Sequence, residues 1–553
     1  MKKIKIYLVL LLVLQLHPLF AQEIPYHESG KKSDLRLFFL EEQVQDFDVL
    51  HYEFDWKLDF EAQHIVGKAV VKIRSQSTLN KITLHLSDNM NVTGITQDLT
   101  PVSFSHQNDL LDIYPLQTLD PDEKLTVTIS YSGFPQSGLN FTYHGEDPII
   151  WSLDEPNGAR EWFPCYDVPS DKATVKMFIT VADSMIVASN GDLIDVKSNP
   201  DQTKTYTWEE NYPISTYLIS IAATNYETFS DVYTSGLETM EVFYYVYPEH
   251  LTQAIEDFSV TVPMMEFYVD VFGEYPFLEE KYGMAVIPGN SSMEHQTCTS
   301  LSSRLVTGTH QYDYIIAHEL AHQWWGDLVT LTDWADIWLN EGFATYSDAL
   351  WVENLYGLEG LKSRMADFKY QYMIRHEGQD HPLYDPPLGH LFCEIEYEKG
   401  AWVLHMLRFV VGDDNFWKIL KEYAQIYAYS NASTEDFQAV CEQIFGADLG
   451  WFFDQWIYEA GYPVYQFGWG FSDQNKIRIV IHQIQEELPL FSMPVELEFI
   501  LPSGSVKKVV WVEEEKNVFE FDFQERPLNV LFDPDSWILS LQEDYRKKGK
   551  EKR

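Results

Sequence analysis

The sequence predicts a multidomain α+β protein in which a mostly helical middle region lies between two β regions. From about residue 43 to 229, apolar residues alternate with polar ones, as in half-buried strands. From about 245 to 463 they recur with helical spacing, and from 464 to 541 the alternation returns. A chain of 553 residues is long enough for about two to four such domains.

The first 21 residues have the pattern of a secretory signal peptide. Lysines near the start precede an apolar run over residues 6–16, and Ala21 is a small residue at a plausible cleavage point. The run is shorter than the roughly 20 residues that span a bilayer. We therefore expect cleavage after Ala21, no membrane anchor, and an exported protein that is periplasmic or secreted.

Residues 22–235 are expected to form the N-terminal β domain. Leu125, Val127, Ile129 and Tyr131 alternate strictly with polar residues, which predicts one strand of this domain. Residues 464–541 are expected to form a small C-terminal β domain, with strands read from Ile477, Ile479 and Ile481 and from Val495, Leu497 and Phe499. Residues 542–553 form a basic tail, which we expect to be disordered.

The middle region, residues 236–463, is expected to be mostly helical. Ile316, Leu320 and Trp324 form an apolar stripe, and Gly326 follows where a helix stop is expected. A second helix is expected from about 336 to 355, and it contains a glycine.

That glycine, Gly342, costs about 1 kcal/mol relative to alanine inside a helix. Close packing between the two helices would explain why it is tolerated. Gly357 is placed to end the second helix.

Charge and cysteine content exclude several classes of protein. A formal net charge of −46 argues against binding to nucleic acid, whose phosphates need basic surfaces. The four cysteines are too few for a disulfide scaffold, and none has zinc-finger spacing. We expect the cysteines to be buried free thiols, although the sequence also allows one disulfide bridge.

The motif His318-Glu319-Leu320-Ala321-His322 predicts a zinc site. Residues four apart lie on one face of a helix, so His318 and His322 can bind one ion together. Glu319 is rotated too far to be the natural third ligand but can reach a water on the metal. Glu341, eighteen residues beyond His322, is the candidate third ligand. Three protein ligands leave a position open, as in catalytic zinc sites.

With these motifs, the chain resembles the zinc aminopeptidases of the aminopeptidase N family (gluzincins), which also contains the leukotriene epoxide hydrolase. The family's zinc motif is present without a gap. The family's Gly-x-Met-Glu-Asn signature is matched by Ser291, Ser292, Met293, Glu294 and His295, with serine and histidine replacing the first and last residues.

Two further segments carry the resemblance. The segment 154–167 is similar to the one in which an acid or amide of the family binds the substrate amine, and Glu155 falls on that position, while Leu153 stands where glutamine is usual. The segment 397–401 is similar to the family's catalytic tyrosine at the start of a helix, which identifies Tyr397.

The resemblance implies an N-terminal β saddle domain, a thermolysin-like, mostly α catalytic domain and a small C-terminal β-sandwich. It also implies a short form, because larger members add a C-terminal helical domain for which this chain ends too soon. The implied function is a zinc metallo-aminopeptidase with one Zn²⁺, acting on peptides with a free N-terminus.

By resemblance, Glu319 is the general base and Tyr397 stabilises the oxyanion. Glu155 and Glu294 hold the substrate amine, and the rest of the 291–295 segment contacts the substrate. His295 is expected either to hydrogen-bond the neighbouring acid or to face solvent.

Three rival functions stay open from sequence: a peptide-binding pseudo-enzyme, an endopeptidase that shares the zinc helix, and an epoxide hydrolase. The complete set of zinc ligands, base and tyrosine argues against the first. The preferred N-terminal residue and the oligomeric state are left open by the sequence.

Overall fold

A computed structural model describes residues 46–375, 380–387, 389–471, 476–486 and 488–544. The expected signal peptide and residues 545–553 of the expected basic tail lie outside these ranges.

The N-terminal part of the described chain consists of strands, as the alternation predicts. They are β1 (Phe47–Asp59), β2 (His64–Ser75), β3 (Ile82–His85), β4 (Met90–Gln97), β5 (Thr100–Pro101), β6 (Ser103–Gln107), β7 (Leu110–Tyr114), β8 (Lys124–Gly133), β9 (Gly138–His144), β10 (Asp147–Leu153), β11 (Lys172–Ala182), β12 (Ile186–Ser189), β13 (Asp192–Ser198), β14 (Thr203–Ser215) and β15 (Ile221–Thr224). An eight-stranded sheet has the order β13-β14-β11-β1-β2-β8-β4-β5, and smaller sheets have the orders β12-β15-β10-β9 and β3-β7-β6.

Alternation along these strands builds the N-terminal core. In β8 the predicted set is buried, while the residues between them are half-buried or exposed. Trp56 on β1 donates its indole N–H to the hydroxyl of Tyr131 at 2.8 Å, so the polar atoms of these two residues are satisfied inside the core. Trp56 also packs against Trp162, which lies in the loop after β10. This loop carries Glu155, so the core fixes its position.

The next part begins with strands and continues with helices. The strands are β16 (Glu227–Ser235), β17 (Glu238–Val246), β18 (Tyr282–Ile287), β19 (Thr299–Ser302), β20 (Val329–Leu331) and β21 (Ser430–Ala432). The helices are α1 (Leu251–Asp257), α2 (Thr261–Phe272), α3 (Asp313–Ala321), α4 (Trp338–Arg375), α5 (Gly400–Val411), α6 (Asp413–Ile426), α7 (Thr434–Phe445) and α8 (Gly450–Trp456).

The sheet β16-β17-β18-β19 corrects the expected boundary at residue 235. β16 and β17 form an antiparallel hairpin, and β17 continues by parallel pairing into β18 and β19. The boundary therefore cuts through the turn of a hairpin, since Gly236 lies between its two strands. Alternation could not reveal this, because it indicates which residues of a strand are buried and not which strand is the pairing partner.

The second predicted helix ends at Gly357, as expected. α4 consists of two consecutive helices, and the break between them lies at Gly357, whose φ of 68° and ψ of −164° are not helical; the second helix continues to Arg375. After the break, Arg364 reaches back to Asp348 and donates two hydrogen bonds of 2.7 Å to its carboxylate. Gly357 therefore redirects the chain, and this part-buried ion pair links the two halves of α4.

The C-terminal part consists of strands, as predicted: β22 (Val464–Phe471), β23 (Lys476–Gln483), β24 (Met493–Leu501), β25 (Gly504–Val512), β26 (Lys516–Asp522), β27 (Asn529–Phe532) and β28 (Leu541–Asp544). They form the sheets β26-β23-β22-β28 and β25-β24-β27. The expected start of the tail at residue 542 is wrong, because β28 pairs in parallel with β22 as far as Asp544. Within the described ranges, no helix has the length and apolar character needed to cross a bilayer.

Candidate active site

Helix α3 and the turn after it place the two histidines of the zinc motif side by side. His318 lies inside the helix and His322 directly after its last residue, still with helical backbone angles. The Nε2 atoms of the two rings lie 3.0 Å apart. Nδ1 of His322 lies 2.8 Å from the carbonyl oxygen of Trp325, which can only accept. Neutral His322 therefore carries its proton on Nδ1 and directs the Nε2 lone pair towards His318, as metal-binding histidines do.

Glu341, in the first turn of α4, supplies the third donor. Its Oε2 lies 3.4 Å from Nε2 of His318 and 3.5 Å from Nε2 of His322. Bonds of about 2.0–2.1 Å to a tetrahedral zinc ion put neighbouring ligand atoms about 3.3 Å apart. The three spacings match the edges of such a tetrahedron, and Oε2 of Glu341 has no hydrogen-bond partner among the described residues. The donor set therefore fits one zinc ion.

A contact between two glycines brings Tyr397 to this site. A Cβ on Gly342 would lie 2.9 Å from the Cα of Gly400, at the start of α5. The close packing expected for Gly342 is therefore present, but its partner is this later segment and not α3. A π-helical turn, Ile395–Lys399, immediately precedes Gly400 and carries Tyr397. The Tyr397 ring stacks on that of His318 with centroids 5.9 Å apart.

A second group of donors adjoins the zinc ligands. Carboxylate oxygens of Glu155, Glu294 and Glu341 lie within 4.8 Å of one another. One oxygen of Glu155 and one of Glu294 are buried without a hydrogen-bond partner among the described residues. Unpaired buried carboxylates are costly, so this arrangement favours a bound cation. Since Glu341 belongs to both groups, the space for that cation lies beside the zinc ligands.

The electrostatics of the site also indicate a need for positive charge. Burial raises the pKa of Glu319 and of Glu155, and neighbouring carboxylates raise both further. Burial raises the pKa of Glu294 to about 7 despite the opposing effect of His322. Burial disfavours a charge on His322, but Glu294 and Glu341 outweigh it and raise its pKa to about 10. The carboxylates thus favour a positive charge at His322, and a bound metal ion would supply a positive charge there.

These residues line one cleft of about 470 Å³, open solvent included. Its lining holds most of the predicted site residues: Glu155, Ser292, Glu294, His318, Glu319, His322, Glu341 and Tyr397. Ser291, Met293 and His295 are not among its lining residues. The backbone of Met293 pairs with Ser300 in both directions, which turns the chain inwards after it.

His295 is fully buried, which corrects the expectation that it hydrogen-bonds the neighbouring acid or faces solvent. Its Nδ1 lies 2.9 Å from Oγ of Ser300. The turn that brings Glu294 to the cleft directs the next side chain into the interior.

Sequence reasoning missed other residues at the cleft. Asn290, Leu305 and Ile315 complete its lining. Gln323, next to His322, accepts a hydrogen bond from Thr297 N and donates one to the carbonyl of Glu294 at 3.3 Å, so it joins the Glu294 turn to the zinc motif. Only its adjacency to His322 could have pointed to Gln323.

Comparison with known families agrees with this geometry. A model of the peptidase family M1 domain matches residues 256–456, and a model of the peptidase M1 N-terminal domain matches residues 49–218. The chain belongs to peptidase family M1. In this M1 chain, His318, His322 and Glu341 are the ligands that fit the family's single catalytic zinc.

Relatives from several organisms match the M1 chain. Aminopeptidase M1-D of Oryza sativa subsp. japonica is 31% identical over 358 residues, which are 61% of this chain and 40% of that protein. The chain spans about half the length, or less, of the curated relatives compared, from 37% to 53%.

Solved structures share the fold. Legionella pneumophila aminopeptidase A, in complex with aspartic acid, superposes with a TM-score of 0.80 at 20% identity, covering 91% of this chain and 60% of that one. An M1 zinc metallopeptidase from Deinococcus radiodurans has a TM-score of 0.65 at 26% identity, covering 76% of this chain and 95% of that one. The multidomain α+β architecture predicted from sequence is confirmed.

Proposed function

We propose that this M1 protein is a zinc-dependent aminopeptidase that removes the N-terminal residue from peptides. The observation that carries the proposal is the sharing of Glu341 between two groups of donors, one suited to zinc and one formed by three carboxylates. The first group fits a catalytic metal, and the second fits an ammonium ion. A peptide with a free N-terminus offers an ammonium group beside its first carbonyl.

The spacing of these groups explains removal of a single residue. Standard bond lengths and angles put the α-nitrogen about 2.5 Å from the first carbonyl carbon of a peptide. An ammonium held by Glu155 and Glu294 therefore places the first peptide bond next to the zinc ligands. Charge-assisted hydrogen bonds are about twice as strong as neutral ones, and an acetylated N-terminus cannot form them.

Each residue of the chain then has a definite task. A zinc ion at His318, His322 and Glu341 supplies Lewis acidity, which lowers the pKa of water to about 7 and polarises a carbonyl. Glu319 accepts the proton of the attacking water and later delivers it to the leaving amine. The Tyr397 hydroxyl donates a hydrogen bond to the oxygen that becomes negative as the carbonyl is attacked.

A panel of aminoacyl chromogenic amides tests this function. The zinc-loaded protein should hydrolyse free aminoacyl amides and leave their N-acetyl forms intact, and a chelator should abolish hydrolysis. Glu319→Gln should retain zinc and lose at least about 100-fold in kcat, the usual effect of losing a general base. Glu146→Gln, on an exposed turn, is the matched control. Failure of the zinc-loaded protein to cut any amide of the panel would overturn the proposal.

We also propose that the protein is exported to the periplasm or the medium. The lysine-rich start, the short apolar run and Ala21 support this, since they follow the pattern of a cleaved signal. Fractionation of expressing cells and N-terminal sequencing test it. A protein found outside the cytoplasm that begins at Gln22 is expected, and a cytoplasmic protein that retains residues 1–21 would contradict export.

A further inference from the structure

A second group of side chains that could hold a metal ion lies between α4 and the π-helical turn that carries Tyr397. Ligand atoms of His381, His390 and Cys393 lie within 4.8 Å of one another. None of the three belongs to the zinc motif or to the cleft lining. His381 is buried, and His390 and Cys393 are half-buried, so the group lies near the surface but is not a solvated patch.

The hydrogen bonds of His381 prepare it as a metal ligand. Its Nδ1 lies 2.8 Å from the carbonyl oxygen of Pro382, so the neutral ring carries its proton there. The Nε2 lone pair then points towards Sγ of Cys393, 3.8 Å away. Zinc bonds of about 2.3 Å to sulfur and 2.0 Å to nitrogen put these two atoms about 3.5 Å apart in a tetrahedral site. The spacing in the fold is within a few tenths of an ångström of that value.

A buried acid beside the group provides a second, independent observation. Glu396 is fully buried, and its Oε1 has no hydrogen-bond partner among the described residues. Oε1 lies 3.7 Å from Nδ1 of His381, while Oε2 accepts the thiol hydrogen of Cys393 at 3.0 Å. A divalent ion bound to a thiolate has one remaining positive charge, which would neutralise this carboxylate.

We propose that His381, His390 and Cys393 form a second metal site of this protein, with Glu396 as the adjacent carboxylate that balances charge. Two imidazoles and a thiolate suit Zn²⁺, which prefers nitrogen and sulfur ligands. On binding, the thiol of Cys393 loses its proton to solvent, and the thiolate sulfur forms the bond to the metal.

The position of the site indicates a structural role. His381 and His390 lie in the segment after α4, whereas Cys393 lies two residues before the π-helical turn Ile395–Lys399. A metal ion would therefore join that segment to the turn that carries Tyr397. The proposal stands apart from the peptidase reaction, because none of its ligands lines the cleft.

Cobalt substitution separates this site from the active site. Metal-free protein is titrated with Co²⁺, and the near-ultraviolet charge-transfer absorption from thiolate to cobalt is recorded. The ligands His318, His322 and Glu341 contain no sulfur, so only a site with a cysteine gives this band. The intact protein should show the band, with saturation at one thiolate-bound Co²⁺ per chain, and Zn²⁺ should remove it by displacement.

Variants identify the ligands. Cys393→Ala should abolish the band, and His390→Ala should weaken Co²⁺ binding at least about 10-fold, because even the loss of an outer partner of a metal ligand has that effect. Cys441→Ala, which removes a buried thiol on α7, and Glu341→Gln, which alters the active site, should both retain it. Circular dichroism verifies that each variant is folded.

Three results would overturn the proposal. The intact protein could show no band, the band could survive Cys393→Ala, or the band could disappear in folded Cys441→Ala. None of these readouts depends on hydrolysis, so the second site can fail while the proposed peptidase function stands, and the reverse also holds.

Discussion

Tyr397 shows how much a single side chain depends on its surroundings. It is one of 33 tyrosines, and only its Tyr-Glu-Lys-Gly-Ala context distinguishes it in the sequence. In the fold it lies in the cleft with its ring against His318. Burial raises the pKa of its hydroxyl, and Glu341 and Glu155 raise it further, so the group stays protonated and can donate.

Tyr397→Phe should lower kcat by about 100- to 1000-fold, because one donor to the developing oxyanion is lost. KM and zinc content should change little, since the substrate amine and the metal are held by other residues. Steady-state kinetics and metal analysis measure these effects. Tyr206→Phe, which removes a hydroxyl that donates to Met185 O and does not line the cleft, is the control. A Tyr397→Phe enzyme with unchanged kcat would exclude the hydroxyl from the reaction.

Glu294→Gln should weaken recognition of the free N-terminus. It replaces a charge-assisted hydrogen bond, typically worth about 1.5–3 kcal/mol, by a neutral one worth about 0.5–1.5 kcal/mol, so kcat/KM for free peptides should fall by about 5- to 13-fold. The preference for free over N-acetylated substrates should shrink by a similar factor. Glu241→Gln, at an exposed position of β17, should change neither quantity. An undiminished preference in Glu294→Gln would remove Glu294 from amine recognition.

At the scale of elements, packing between backbones places the functional groups. The sequence identifies the zinc ligands because helical spacing alone puts His318 and His322 together. It could not identify the partner of Gly342, which depends on how a segment almost sixty residues later returns to α4. For the same reason Asn290 and Leu305 were missed, since they reach the cleft only through tertiary packing. Ile315 differs, because it lies on α3 three residues before His318, so helical spacing could have pointed to it.

Gly342→Ala should push the turn that carries Tyr397 away from the zinc ligands. The added Cβ would lie 2.9 Å from the Cα of Gly400. Because that atom belongs to the backbone, the contact can be relieved only if the two segments move apart. We expect a loss of about 1–3 kcal/mol in the free energy of unfolding, together with a lower kcat. Gly470→Ala is the control, because its Cβ would meet no atom within 4 Å. Denaturant unfolding and kinetics that are the same for both variants would contradict this role of the glycine contact.

Arg364→Ala should destabilise the protein by about 3–5 kcal/mol, because it leaves the buried Asp348 carboxylate without its bidentate partner. Lys362→Ala removes an ion pair with the exposed Glu359 on the same helix and should cost at most about 1 kcal/mol. Denaturant unfolding compares the two. Equal stability of both variants would show that the pair does not hold the halves of α4 together.

At the scale of the whole molecule, the order of β region, helical region and β region could be read from periodicity alone. The boundaries could not, since β16 pairs with β17 across the expected junction and β28 continues beyond the expected end of the last domain. Such boundaries depend on which strands pair with each other, and the hydrophobic pattern of a single strand does not identify its partner. The sequence also could not show that His295 is buried. A tight turn follows Met293, and it directs the His295 side chain into the interior.

The central claim is that one zinc ion and a neighbouring group of carboxylates together restrict hydrolysis to the first peptide bond. The most direct measurement follows a peptide and its N-acetylated twin by mass spectrometry, with zinc-loaded, chelated and zinc-restored protein. We expect the free peptide to shorten one residue at a time from its N-terminus, only when zinc is present, and the acetylated twin to stay intact. Equal cleavage of the twin, internal cuts, or full activity after zinc removal would contradict the claim.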